Sequence, residues 1–310
     1  MFRRRQDAWE DDYRMRRYLA NASDAAVAQR FRDLLFNYHN VTAEGRLGIV
    51  NDRGERLKWL ALLTHILQEF NMRGGIPEDA TSRDDLPFIT FPKVPKGFQI
   101  LKGATLPDRT LIKLGKSEHM REMFFEGRIR ISAASSYADP SLNHAINDDE
   151  LSIFTLALRD ETTVRILDKK TGKPGPIIPL LDDVMVTESV YDFYVYCMSD
   201  KYDYRLVDDF EASAMVVVHD CGTFSRKLSR AIREQLGDDY TYMWIPVYYV
   251  DPYNFDHTRL SGHFSKHFRF SYQHEHRFLM VPKDNRTEPL PPFFVNIGSL
   301  TDVATLYILE

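Results

Sequence analysis

The chain has little cysteine: Cys197 and Cys221 are the two in 310 residues. Two thiols make no disulfide framework and lack the paired spacing of a zinc site, and they fit a reducing compartment. Glycine-rich phosphate loops of the P-loop or dinucleotide-fold type are missing, as are a nucleophile elbow and a kinase signature. A nucleotide, if bound, is therefore not bound in the Rossmann manner. No apolar run approaches the length that spans a bilayer. The basic start Met1–Arg5 runs into Gln6-Asp7-Ala8-Trp9-Glu10-Asp11-Asp12, where a secretory signal would need an apolar stretch. The expectation is a cytoplasmic protein with no membrane partner. Net charge is also small, since 40 basic and 45 acidic residues leave −5, which excludes a generic polyanion binder.

Apolar and aromatic residues are abundant. They make up 44% and 13% of the chain, enough for a sizeable core and too many for a disordered chain. The length exceeds what one core comfortably serves, which predicts a main domain and a smaller unit. Residues 1–75 read as helices. Ser23-Asp24 can cap one that carries Val27, Phe31, Leu34, Leu35 and Tyr38. A second runs from Gly54 to Met72 with Leu57, Leu60, Leu63, Leu67 and Phe70 on one face. Pro77, Pro87, Pro92 and Pro95 break residues 76–99 into a linker with at most a short strand at Phe88–Phe91.

Residues 100–310 read as an α+β domain. Strands are expected at Arg109–Leu114, Arg128–Ser132, Tyr191–Met198, Ala214–His219, Met243–Val250, Arg277–Val281, Phe293–Ile297 and Ala304–Leu309. Ser117 is expected to cap a short helix closed by Gly127, and Thr223–Leu236 forms another. Residues 151–190 read as irregular, with Ser152–Leu158 as either helix or strand and Asp168–Lys173 as a turn-rich excursion. The helices do not alternate with the strands, which favours an antiparallel or split sheet over a doubly wound one.

The densest ionisable stretch runs from His263 to Arg277 and holds four of the ten histidines. If its end is extended, Gln273, Glu275 and Arg277 share one face and His274 and His276 the other. Three readings of Glu275 stand open. It pairs with Arg277 or Arg269 on a solvated face; or His263, His267 and His274 or His276 hold a metal, without a required spacing; or it is a catalytic carboxylate.

Three segments, Leu111–Pro140, Tyr194–His219 and Lys266–Met280, resemble an uncharacterised bacterial domain family. The matching parts are Ile112-Lys113-Leu114, Gly127-Arg128-Ile129-Arg130-Ile131-Ser132, Asp139-Pro140 and Tyr272-Gln273-His274-Glu275-His276-Arg277. Their order also resembles the ADP-ribosyltransferase superfamily: a basic or His residue on a first strand, a Ser-containing second strand, and a late strand led by Gln/Glu-x-Glu. Gln273-His274-Glu275 matches the last element. Lys113 departs from the expected Arg or His, and the Ser-x-Ser element is blurred into Ser132-Ala133-Ala134-Ser135-Ser136.

The resemblance implies an ADP-ribosyltransferase-like split sheet over residues 100–310 that uses NAD as substrate. Glu275 would stabilise the oxocarbenium-like charge as the nicotinamide–ribose bond breaks, and Gln273 would orient the acceptor. Lys113 would meet the pyrophosphate, Ser132 or Ser135 would hold the nicotinamide side, and Tyr137 or Tyr272 would stack on the ring. Arg277 would support the strand. Ordinary packing accounts equally for both tyrosines. The resemblance further implies a toxin or phage-defence effector, with an antitoxin as partner. The acceptor is a macromolecule, either protein or RNA or DNA. Arg3, Arg4, Arg5, Arg14, Arg16 and Arg17, interleaved with Trp9, Tyr13 and Tyr18, form either a nucleic-acid grip or a helix laced with ion pairs. The alternatives to a transferase are an NAD glycohydrolase and a non-enzymatic binding module. The Asp148-Asp149-Glu150 run reads as a solvated loop or a weak site for a divalent cation.

Overall fold

The computed structural model describes residues 2–42, 44–81, 95–254, 260–284 and 287–309. The expected strand at Phe88–Phe91 lies outside them. The amino-terminal part is helical: α1 (Phe2–Arg16), α2 (Asp24–Tyr38) and α3 (Arg53–Met72), with a small hairpin of β1 (His39–Val41) and β2 (Leu47–Ile49) between the last two. Ser23 caps α2 by accepting from the Ala26 amide, and Asp52 caps α3 by accepting from Glu55. The apolar stripes meet in one core: Val27, Phe31 and Leu34 of α2 against Trp59, Leu62, Leu63, Ile66 and Phe70 of α3.

This core is not self-contained. Phe268 and Leu158 from the later part of the chain belong to it. Arg30 makes a bidentate pair with Asp251 at 2.5 and 2.6 Å, almost out of contact with solvent. The Asn37 side chain donates to Arg269 O and accepts from the Tyr272 amide. Parts of the expected linker are packed as well. Ala80 is buried in the helical core, and α4 (Lys96–Leu101) tucks Ile100 and Leu101 under the sheet.

The rest is mixed helix and antiparallel sheet, so the α+β class holds. Eight strands form the main sheet. Its principal order is β11 (Tyr240–Pro246), β14 (Glu275–Pro282), β9 (Tyr194–Ser199), β3 (Leu111–Gly115), β10 (Ala214–Val218) and β16 (Ala304–Ile308), while β4 (Arg128–Ala133) joins β9 and carries β15 (Phe293–Asn296) on its other side. Each pairing in it is antiparallel. Helix α7 (Cys221–Leu236) covers one face through Phe224, Leu228 and Ile232.

Two local expectations are corrected. Ser117 does not cap α5 (Ser117–Arg121): Lys116 holds the cap position without a side-chain bond, while the Ser117 amide donates to Ser213 Oγ. The helix closes at Gly127, whose φ of 70° suits glycine. A Cβ there would also collide with the Gly298 backbone. The second correction concerns residues 151–190, which are not irregular. They form two ribbons, β5 (Ser152–Ala157) with β8 (Val184–Ser189), and β6 (Val164–Leu167) with β7 (Pro174–Ile178). The chain between α7 and β14 adds a parallel pair, β12 (Tyr248–Val250) with β13 (Ser265–His267), and α6 (Leu206–Asp209) follows β9.

Candidate active site

Strand β9 sets the site. On one side it pairs with β14 along its whole length, Glu275 opposite Ser199 and Met280 opposite Tyr194. On the other side two strands share it: β4 pairs at Tyr194 and Val195, and β3 at Ser199. Tyr196, Cys197 and Met198 are left between them, so the sheet forks. Lys113 of β3 bridges the gap, donating to Cys197 O at 2.8 Å with its ammonium 4.7 Å from the Tyr196 ring centre. A cavity of about 300 Å³ lies at this fork, bordered by Lys113, Tyr137, Glu150, Cys197, Gln273 and Glu275 with apolar neighbours such as Ile112 and Ile146.

Glu275 opens β14, as the sequence implies, but it is not on a solvated face. It is buried within a closed ring of four charges. Lys266 Nζ lies 2.7 Å from Glu275 Oε1 and 3.0 Å from Glu150 Oε1; Arg277 Nε lies 3.0 Å from Glu275 Oε2, and Arg277 Nη2 lies 2.6 Å from Glu150 Oε2. Each carboxylate thus spends one oxygen on each cation and keeps a further lone pair on each. Burial opposes the charge on Glu275, but Lys266 and Arg277 together outweigh it and hold the carboxyl down at about 2. Burial likewise opposes the charges of Lys266 and Arg277, and the two glutamates override it, so both stay cationic. The Tyr249 hydroxyl accepts from the Glu275 amide and fixes the start of the strand.

The other groups at the cavity differ in what they have left to offer. Burial lowers the Lys113 pKa, against the pull of Cys197 and Glu275, and its one described hydrogen bond is that to Cys197 O. Burial pushes the Cys197 thiol up to about 12, so it is no thiolate nucleophile. Burial also keeps the Tyr137 hydroxyl protonated. Gln273 has no solvent exposure. Its Nε2 donates to Ala145 O at 2.7 Å, which fixes the orientation of the amide, and its Oε1 has no partner among the described residues. An acceptor buried without a partner costs about 1–3 kcal/mol.

Gln273 reaches the cavity by a different route from the one expected. Phe268–Gln273 is a 3₁₀ turn, and His274 sits in the left-handed region at φ 46°. The chain is therefore kinked, and only Glu275 and Arg277 share a strand face. The kink turns Tyr272 away. Its ring packs edge-on against Phe36, with the Arg205 guanidinium 4.2 Å from its centre, and only its hydroxyl touches Gln273. Tyr272 borders instead a separate cleft of about 700 Å³ between the helical part and the sheet, with Trp59, Tyr202, Tyr248 and Tyr249. Arg277 is fully buried and does not line the cavity.

The serines do not reach the cavity. Ser132 stands in β4 opposite Val195, and the Ser135 amide and hydroxyl are both bound to Asp192, at 3.1 and 2.6 Å. After Ala133 the chain enters a 3₁₀ turn over Ala134–Ala138 that carries Tyr137 to the cavity and leaves the serines behind. The four histidines also diverge. His263 packs on Phe193 and His276 on Trp244, while His267 and His274 border two different clefts.

Sequence reasoning missed Glu150 and Lys266. Of the expected solvated run, Asp149 is exposed, Asp148 is half-buried and Glu150 is buried. Lys266 had left a signal: Phe264, Lys266, Phe268 and Phe270 occupy alternate positions, which places the lysine in an apolar phase. The amino-terminal arginines show where part of their charge goes. Arg14 pairs with Glu10 and Asp11, Arg16 with Glu161 and Arg17 with Glu69, while Tyr13 and Tyr18 are buried. Among the described residues no helix is long and apolar enough to cross a membrane. Comparison of the chain with protein-family models, curated proteins and solved structures gives no match, so its own residues carry whatever reading it receives.

Proposed function

We propose that the fork cavity is the active site of an NAD-dependent ADP-ribosyltransferase that modifies a macromolecule. One observation carries this reading: the ionised Glu275 carboxylate borders a partly apolar cavity together with Lys113, an ammonium with a single described protein acceptor. A carboxylate held charged in such surroundings stabilises the positive charge that develops at the ribose carbon as the glycosidic bond breaks and nicotinamide departs with the bonding pair. Its remaining lone pairs can hold a ribose hydroxyl. Lys113 supplies donors to an anionic oxygen of the pyrophosphate, the Tyr137 ring flanks the nicotinamide, and the unsatisfied Gln273 Oε1 receives a hydrogen from the incoming acceptor. Arg277, Lys266 and Glu150 fix the geometry of Glu275. With the family resemblance, this chemistry suits a cytoplasmic toxin or anti-phage effector held in check by an antitoxin, with RNA, DNA or protein as acceptor.

The test is incubation of the purified protein with labelled NAD and separate pools of protein, RNA and DNA, alongside Glu275→Gln and Lys113→Met. Label passing to one pool with wild type, and falling by about 10²–10³-fold in Glu275→Gln, is the expected outcome. Free ADP-ribose and nicotinamide without labelled acceptor would make the protein an NAD glycohydrolase. Neither product, from folded protein, would overturn the enzymatic reading in favour of a binding module.

A further inference from the structure

The cleft that Tyr272 borders has no part in the chemistry of the fork. It measures about 700 Å³, and five rings wall it: Trp59, Tyr202, Tyr248, Tyr249 and Tyr272. That size and an aromatic lining are those of a small-molecule site. Cleft and fork are divided by the turn before β14. Tyr272 and His274 border the cleft, whereas Gln273 and Glu275 border the fork.

Most charges around the cleft are matched within the protein. Lys201 pairs with Glu55 at 2.8 Å and Arg205 with Asp203 at 3.2 Å, while Asp52 is engaged as the cap of α3. Lys58 is the exception. Its ammonium lies 4.6 Å from the centre of the Trp59 ring and has no carboxylate partner among the described residues. One such cation does not make the row that a nucleic-acid backbone requires. The Asn37 amide is spent on backbone groups. The bonding capacity that remains is neutral: the Asn51 amide, the Ser271 hydroxyl and the His274 imidazole border the cleft without a side-chain hydrogen bond among the described residues. Ser271 is buried to all but 9% of its surface. Burial lowers the His274 pKa, so the ring is neutral, with one nitrogen to donate and one to accept. Each of these three groups therefore offers both a donor and an acceptor.

We propose that the cleft is a second ligand site, which binds a nucleoside with its base among the rings and its polar edge on Asn51, Ser271 and His274. A nucleobase is flat, aromatic and uncharged, so it stacks on tyrosine and tryptophan rings and needs no counter-charge. Its edge sets donors beside acceptors, as those three side chains do. The ribose hydroxyls can accept from Lys58. The site stands whether or not the fork cleaves NAD. Its occupant also reaches the fork indirectly, because Tyr249 borders the cleft while its hydroxyl holds the Glu275 amide.

Calorimetric titration of the full chain with adenosine, guanosine, cytidine and uridine tests the proposal. At least one should bind at a single site per chain, and hydrogen exchange should show the 271–275 amides protected on binding. Asn51→Ala, at an exposed position, and Ser271→Ala should each weaken binding about three- to tenfold. Lys113→Met, in the fork, should leave it unchanged. Failure of all four nucleosides to bind at millimolar concentration would overturn the proposal. So would binding that survives Asn51→Ala and Ser271→Ala but is lost in Lys113→Met, which would place the nucleoside in the fork, or binding of glucose oligosaccharides in place of nucleosides.

Discussion

Two buried glutamates invite comparison. Glu69 lies at the centre of the helical part, without solvent exposure, and receives Tyr13, Arg17 and Arg73 at 2.6 to 3.2 Å. Glu275 lies in the sheet and receives Lys266 and Arg277 at similar distances. In both, burial opposes the charge and the surrounding donors restore it, so both pKa values are lowered. The carboxylates differ in what lies beyond them. Glu69 borders none of the cavities described above, whereas Glu275 borders the fork. A buried, satisfied carboxylate is therefore no sign of catalysis in itself. A void beside it, bounded by further polar groups with unused bonding capacity, supplies the distinction.

Substituting both residues should separate the two roles. Glu275→Gln is expected to lower transfer from NAD by about 10²–10³-fold, while Glu69→Gln leaves the rate per folded molecule unchanged. Glu275→Gln should also destabilise by about 3–5 kcal/mol, because it strands the buried Lys266 and Arg277, and Glu69→Gln by less, because Arg17 and Arg73 reach solvent; denaturant unfolding beside the assay resolves the two effects. Equal loss of specific activity in both variants would erase the contrast. Lys113→Met comes next. It removes an ammonium with one described protein bond, so stability in denaturant should change by no more than about 1 kcal/mol, while KM for NAD rises about tenfold or more.

A smaller effect tests the seam between the two parts. Burial and the nearby Arg269 hold the His267 pKa down at about 3, so the folded chain excludes a proton that the unfolded chain takes up near 6.5. Stability from this group is full above about pH 6.5 and declines as pH falls toward about 3. Asp33, lifted by burial to about 6, works in the opposite direction. Unfolding free energies measured from about pH 7 to about pH 5 should therefore fall more steeply in wild type than in His267→Gln. The smallest effect belongs to the serines. Ser132→Ala and Ser135→Ala should leave transfer within about twofold, and Ser135→Ala should cost about 1 kcal/mol through its lost bond to Asp192. A large activity loss in either would require a binding mode outside the fork.

Helices and the principal strands were legible because apolar spacing reports burial directly. The stripe Phe224, Leu228, Ile232 and the alternation of Arg128–Ser132 are cases in point. Glu275 was legible as the head of a strand. Its surroundings were not, because a charge ring joins residues 127 positions apart, from Glu150 to Arg277, and no spacing rule links them. The kink at His274 was hidden for another reason. Histidine is one of the residues that tolerates a positive φ, but which histidine adopts it is set by packing on both sides. The ribbons of residues 151–190 were legible only in part: Ser152–Leu158 fits helix or strand alike, and the turn-rich Asp168–Lys173 is the turn between β6 and β7, whose register shifts between Arg165 and Leu167.

Asn37 has one more consequence. Its side chain, on the second helix, holds backbone groups of Arg269 and Tyr272, the turn that delivers Gln273 and Glu275. The helical region is thus a mould in which the turn before β14 is cast, and not an accessory appended to a portable domain. A truncation at the proline-containing segment, or a graft of residues 100–310 onto another carrier, would leave the turn without its template. Drift in the helix that alters Asn37 would have to be matched by drift in the turn, so these two distant segments are bound to change together.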